Sequence, residues 1–123
     1  MRVLLSVKPE FIEKIFVGKK LYEFRTRIFR RSDIKTIVLY ASSPVQKVVG
    51  EIEIDKIIGD DKDQLWKLTK HYSGISKKYY DEYFKDKDYA YAIKIKSAKK
   101  YKTQLPLKKD YNIQYAPQSF VYL

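Results

Sequence analysis

The segment Gly18-Lys19-Lys20-Leu21-Tyr22-Glu23-Phe24-Arg25 sets the first constraint on the fold. Its glycine supplies a left-handed stop for a preceding helix, two lysines occupy the turn, and an alternating run follows. On an extended chain Tyr22, Phe24 and Ile28 point one way while Glu23, Arg25 and Arg27 point the other. The spacing predicts a strand over 22–28 that packs one face on a core and presents a carboxylate and two guanidiniums with the other. Glu23 and Arg25 are two residues apart, so their Cβ atoms lie about 7 Å apart, within reach of long side chains. Beside two ammonium groups, that pair makes an anion site with a built-in acceptor. The same spacing also suits a solvated strand face carrying an ordinary surface ion pair. Crowding by Arg25 is expected to lower the pKa of Lys20, which makes Lys20 a candidate base or nucleophile.

Upstream, residues 2–7 read as a strand with Val3, Leu5 and Val7 on one face. Pro9 suits the first turn of a helix, where its missing N–H costs nothing, and Phe11, Ile12, Ile15 and Phe16 form its apolar stripe. Downstream, Thr36–Ala41 is short and apolar on both faces, the signature of a buried central strand. Ser42-Ser43-Pro44 turns the chain into a half-buried strand that begins near Gly50 and alternates through Ile52 and Ile54. The period then switches. Asp61 and Gln64 resemble a capping box, Leu65, Leu68 and Tyr72 give a helical stripe, and Gly74 ends it. Ser76 caps a second helix with Tyr79, Tyr80, Tyr83 and Phe84 facing inward. Tyr89, Tyr91, Ile93 and Ile95 restore strand alternation, Pro106, Leu107 and Asp110 mark an irregular connection, and 118–122 reads as a closing strand. The expected fold is α+β: a small, closed, mostly antiparallel β-barrel with short helices and a two-helix insertion around 60–85. A single domain over 1–123 is expected, with no repeat and no linker.

The 26 Lys+Arg against 15 Asp+Glu give a net charge of +11, and the excess sits at the two ends. Residues 1–41 hold 10 basic and 4 acidic side chains, 42–88 hold 9 and 10, and 89–123 hold 7 and 1. If the ends meet in space they form one basic surface, which favours polyanions and above all nucleic acid. A Lys-, Tyr- and Ile-rich composition also follows from an AT-rich coding sequence, so charge alone decides nothing. The absence of cysteine excludes disulfides, thiolate metal sites and Cys nucleophiles. No apolar run approaches the roughly 18 residues of a membrane helix, and Val3–Leu5 is too short for a secretion signal, so a cytoplasmic protein with no membrane partner is expected. Asp60, Asp61, Asp63 and His71 read as helix-start acids and a distant histidine, not as metal ligands. No glycine-rich phosphate loop or Ser–His arrangement occurs, and no cofactor is expected.

Several motifs in order along the chain carry a family resemblance. They are Gly18-x-Lys20-x-x-Glu23-x-Arg25 after the helix at Lys8-Pro9, Val38-Leu39-Tyr40-Ala41-Ser42-Ser43-Pro44, Val49-Gly50-Glu51, Tyr91-Ala92-Ile93, and Ala116-Pro117-Gln118-Ser119-Phe120. Together they resemble the ASCH domains of the PUA-like superfamily. The resemblance implies a PUA-like barrel with a cleft beside the Gly-Lys-Glu-Arg segment. It also implies binding of RNA or other nucleic acid, with some members acting as enzymes on nucleic acids or modified nucleosides. In a branch of small amidohydrolases acting on N4-acetylcytidine, the catalytic lysine is similar to Lys20. That branch's threonine is replaced here by Glu23, and the Lys70–Ser76 region offers no matching glutamate. Another branch comprises ribonucleases.

The leading expectation is an RNA-binding module. Lys19, Lys20 and Arg25 would contact phosphate or a base edge, Glu23 would accept from a base amine, and Tyr40 would stack. Ser42, Ser43, Gln118 and Ser119 would complete the rim. The alternative is a small enzyme acting on a modified nucleoside or on RNA, as amidohydrolase or ribonuclease, with Lys20 and Glu23 as catalytic groups. A third reading makes the Tyr-rich insertion an aromatic patch for a protein partner.

Overall fold

The computed structural model describes all residues from Met1 to Leu123. The chain runs β1 (Val3–Val7), α1 (Pro9–Phe16), β2 (Tyr22–Arg25), β3 (Thr36–Ala41), β4 (Lys47–Asp61), α2 (Lys62–Thr69), a 3-10 turn (Lys70–Tyr72), α3 (Lys77–Tyr83), β5 (Tyr89–Leu105), α4 (Leu107–Tyr111) and β6 (Phe120–Tyr122). All six strands form one sheet in the order β2-β5-β4-β3-β1-β6. Only β1 and β3 pair in parallel, from Val3 opposite Ile37 to Val7 opposite Ala41. The fold is mixed α+β and barrel-like. Its hydrogen-bonded ladder is a curled half-barrel, with β2 and β6 as edges where the sequence suggests complete closure.

Apolar patterning explains the layers. Ile37, Leu39 and Ala41 of β3 join Val3, Leu5, Val7, Ile52 and Ile93 in the main core, where Ile12 and Ile15 of α1 also pack. The alternate residues Val38 and Tyr40 pack with Leu4, Val48 and Leu107 in a separate cluster. A third cluster, Phe24, Leu65, Tyr80, Phe84, Ala90 and Ala92, seats α2 and α3 on β2 and β5. The helices start at side-chain caps. The Asp61 carboxylate accepts the Asp63 and Gln64 amides, and the Ser76 hydroxyl accepts the Tyr79 amide.

β4 and β5 are much longer than the alternation suggests. They pair from Val48 opposite Leu105 to Asp61 opposite Tyr89, with register shifts at Val48/Gly50, Glu53/Ile54 and Ile54/Lys56. Each shift switches which residues face inward, so the period-2 pattern breaks although the strand continues. At Gly50 a Cβ would run into the Lys99 carbonyl and the Phe16 ring, so this crossing tolerates no side chain. The edge strand β2 ends at Arg25, short of the expected Ile28. β6 pairs with β1, which brings the two ends of the chain together through uncharged residues, whereas the C-terminal lysines lie on β5 and α4. No helix is long and apolar enough to cross a membrane.

Candidate functional site

A cleft of about 210 Å³ opens where the end of β1, the start of α1 and β2 face α3. One wall comes from Ser6, Val7, Lys8 and Phe11, the floor from Lys20, Glu23, Phe24 and Arg25, and the opposing wall from Ile75, Tyr79 and Tyr83, with Gln118 at the C-terminal side.

The floor is built on the segment 18–25, yet its side chains are not a solvated strand face. Glu23 is 6% and Arg25 8% exposed; only Arg27 extends into water. The sheet curls here, so the face that reads as polar and outward turns into the concavity. The Arg25 guanidinium donates to the Ser119 carbonyl at 2.9 Å and to the Ser6 carbonyl at 3.4 Å, and lies 3.5 Å from a Glu23 carboxylate oxygen. It thereby bridges β2 to β1 and to the segment entering β6, across the gap the ladder leaves open.

Lys20 is 1% exposed. Its ammonium donates to the Ser73 carbonyl at 2.6 Å and sits 5.0 Å from the Phe24 ring centre and 5.3 Å from that of Phe11. Burial lowers its pKa to about 8, Glu23 acts against that shift and Lys14 adds to it. The sequence anticipates the direction but assigns the wrong cause: desolvation, not crowding by Arg25, is responsible. Two neighbouring bonds complete a clamp on the same loop, with the Leu21 amide donating to the Tyr72 carbonyl and the Lys14 ammonium to the Gly74 carbonyl. Gly74 has φ +70°, and a Cβ there would lie 2.5 Å from Cβ and Cγ of Lys20. The loop that starts the α3 wall is therefore fastened directly to the lysine of the floor.

Tyr79 and Tyr83 stack at 6.3 Å with their planes 13° apart, and the Lys8 ammonium lies 5.0 Å from the Tyr79 ring centre. Tyr83 keeps part of its ring in water while its hydroxyl packs near the ion pair. Burial raises its pKa, Arg25 opposes this and Glu23 adds to it.

The remaining sequence candidates separate from this site. Tyr40 is 6% exposed and packs with Leu4, Val38, Val48 and Leu107, on the side of β3 turned away from the main core. It is a packing residue because β3 is covered on both faces. Ser42 donates its amide to the Val7 carbonyl, so the turn abuts the cleft, but neither Ser42 nor Ser43 lines it. Lys19 is exposed in the turn outside the lining. Gln118 lines the cleft, and Ser119 contributes its carbonyl to Arg25. Sequence reading missed Ser6, Lys8, Phe11, Ile75, Tyr79 and Tyr83. The signal available was the sweep of four aromatics, Tyr79, Tyr80, Tyr83 and Phe84, along and just past α3, wider than one buried stripe requires.

Comparison with known proteins gives the chain its family and its fold relatives. The family model of the ASCH domain matches residues 5–99. The chain belongs to the ASCH family. This ASCH domain is 33% identical over 90 residues to an "ASCH domain-containing ribonuclease" of Zymomonas mobilis, covering 73% of this chain and 61% of that protein. It is 30% identical over 123 residues to a protein of Ureaplasma parvum named large ribosomal subunit protein uL22, of which it spans 39%. The crystal structure of ASCH from Zymomonas mobilis superposes with a TM-score of 0.91 at 29% identity, covering 99% of this chain and 87% of that one.

Proposed function

We propose that this ASCH domain binds single-stranded RNA and takes one base into the cleft. The observation that carries the reading is the pairing of an aromatic wall, Tyr79 and Tyr83, with a buried floor of Lys20, Glu23 and Arg25. Sequence-specific recognition of RNA relies on unpaired bases that stack on aromatic rings and are hydrogen-bonded along their edges, which is what those two surfaces offer. The volume of about 210 Å³ falls below the roughly 300–1,000 Å³ of pockets that enclose larger ligands, and suits one ring system. Lys8, at the rim over Tyr79, is placed to meet phosphate. The relationship to a named ribonuclease supports RNA as the polymer.

Fluorescence anisotropy with a labelled ten-nucleotide RNA tests this. Wild type should bind at low salt, and Tyr79→Leu should weaken binding about tenfold, since stacking contributes roughly 1–3 kcal/mol per base. Undiminished affinity in Tyr79→Leu would remove the cleft from the reading.

A second reading, RNA cleavage in the same cleft, is favoured by the lysine of pKa about 8 beside a buried carboxylate. In it Glu23 accepts the ribose 2′-hydroxyl proton as that oxygen attacks the neighbouring phosphorus, and the Lys20 ammonium protonates the departing 5′-oxygen. Lys20→Met and Glu23→Gln should abolish cleavage while RNA is still bound. Cleavage at the wild-type rate in both would assign the activity to a contaminant.

A further inference from the structure

We propose that the cleft selects the imide edge of a pyrimidine-dione base, uracil in RNA, over cytosine, adenine and guanine. The inference rests on the base-binding reading above and adds which base is taken.

Its basis is the order of polar groups on the floor. The Glu23 carboxylate is 6% exposed, and its one polar contact within the protein is the Arg25 guanidinium at 3.5 Å, so its acceptor capacity is directed at the cleft. A buried carboxylate of this kind requires an N–H donor. Donors flank it. Arg25 follows two residues later on the same strand face and is fixed by the Ser6 and Ser119 carbonyls. Lys20 precedes it in the turn before β2 and is fixed by the Ser73 carbonyl. The floor thus reads donor, acceptor, donor.

The complementary ligand edge is acceptor, donor, acceptor, which is the O4, N3–H, O2 edge of uracil. Cytosine would set its N3 lone pair against the carboxylate and its amino group against a cation. Adenine repeats both conflicts. Guanine matches at O6 and N1–H but places its amino group on the remaining cation. Each mismatch leaves a desolvated polar group unpaired, so rejection is built into the site.

Anisotropy with ten-nucleotide homopolymers separates the outcomes. Oligouridylate should bind about tenfold or more tightly than oligocytidylate and oligoadenylate, the effect of one unpaired buried group. An oligomer of N3-methyluridine, which lacks the imide donor, should lose that preference with no change to the protein. Glu23→Gln, whose amide offers both donor and acceptor, should bring uridine and cytidine oligomers within about threefold. Oligothymidylate, which carries the same imide edge, binding as tightly as oligouridylate would support the imide assignment and show that the cleft does not read the 2′-hydroxyl. Equal affinity for uridine and cytidine oligomers, still sensitive to Tyr79→Leu, would overturn the imide assignment and leave base binding standing. Failure of every oligomer to bind would overturn both.

Discussion

Gly74 and Gly18 both hold positive φ, +70° and +81°, but only Gly74 has neighbours where a side chain would go. Gly18→Ala should cost about 1 kcal/mol in urea unfolding, the conformational penalty alone, with RNA affinity unchanged. Gly74→Ala should cost at least about 2 kcal/mol and weaken RNA binding, because its methyl group would displace the Lys20 stem. Lys20 itself makes a pH prediction. Its amine has a pKa of about 8 in the folded protein and the ordinary 10.5 when unfolded. Between those values the unfolded chain holds a proton the folded one has released, so this group favours folding increasingly as pH rises from 8 to 10.5. Below pH 8 its full charge is buried at a cost. Lys20→Met should therefore be more stable than wild type at pH 7, on the order of 2–3 kcal/mol, with the gap closing toward pH 10.5 in paired urea titrations. RNA affinity of the wild type should fall as pH rises through about 8, and that step should be absent in Lys20→Met. These residues were legible in the sequence as a charged cluster. Their burial was not, since alternation alone does not reveal which way a sheet curls.

Among the elements, β2 and α3 hold the two sides of the cleft, and they differ in how well the sequence announces them. Arg25 joins the β2 edge to β1 and to the approach of β6. Arg25→Ala would leave Glu23 without its partner cation and two carbonyls without donors, a loss of about 3 kcal/mol. Hydrogen exchange should report it as faster exchange of Val121 and Leu123 amides. Arg25→Lys should not restore the wild-type rates, since a single ammonium lacks the planar fork that reaches both carbonyls. Strand β3 was read from the sequence to the residue because both its faces are apolar. The caps Asp61 and Ser76 were equally plain, since each is a polar side chain at a required backbone position. Three register shifts hide the full lengths of β4 and β5, and the sequence points Tyr40 to the cleft because a tyrosine on a two-sided strand gives no sign of which layer covers it. On α3, Tyr80 and Phe84 are buried as read, while Tyr79 and Tyr83 of the same sweep face the cleft.

At the scale of the whole molecule, pairing of β1 with β6 joins the two ends of the chain, while the C-terminal lysines lie back on β5 and α4. Six ion pairs lie within 4.0 Å, so most of the 26 Lys and Arg residues have no carboxylate at hand. Such a surface should make RNA binding strongly salt-dependent. For every three cations of the surface that meet phosphate, log K against log salt should fall with a slope of roughly −2 for a single strand. A flat profile in anisotropy titrations at rising salt would show that charge contributes little to the complex. The helical segment between β4 and β5 leaves the sheet at Asp61 and returns at Tyr89, and those two residues are register partners. Its ends are thus side by side on a hairpin stem, while its inner surface supplies half the ligand-facing wall. A cassette with one tie has this layout: transplanting 62–88 from a relative would exchange the ring-bearing jaw, but the incoming loop must keep a glycine at 74 and the 72–74 carbonyls in place, because the charged bed hangs on them through Lys20.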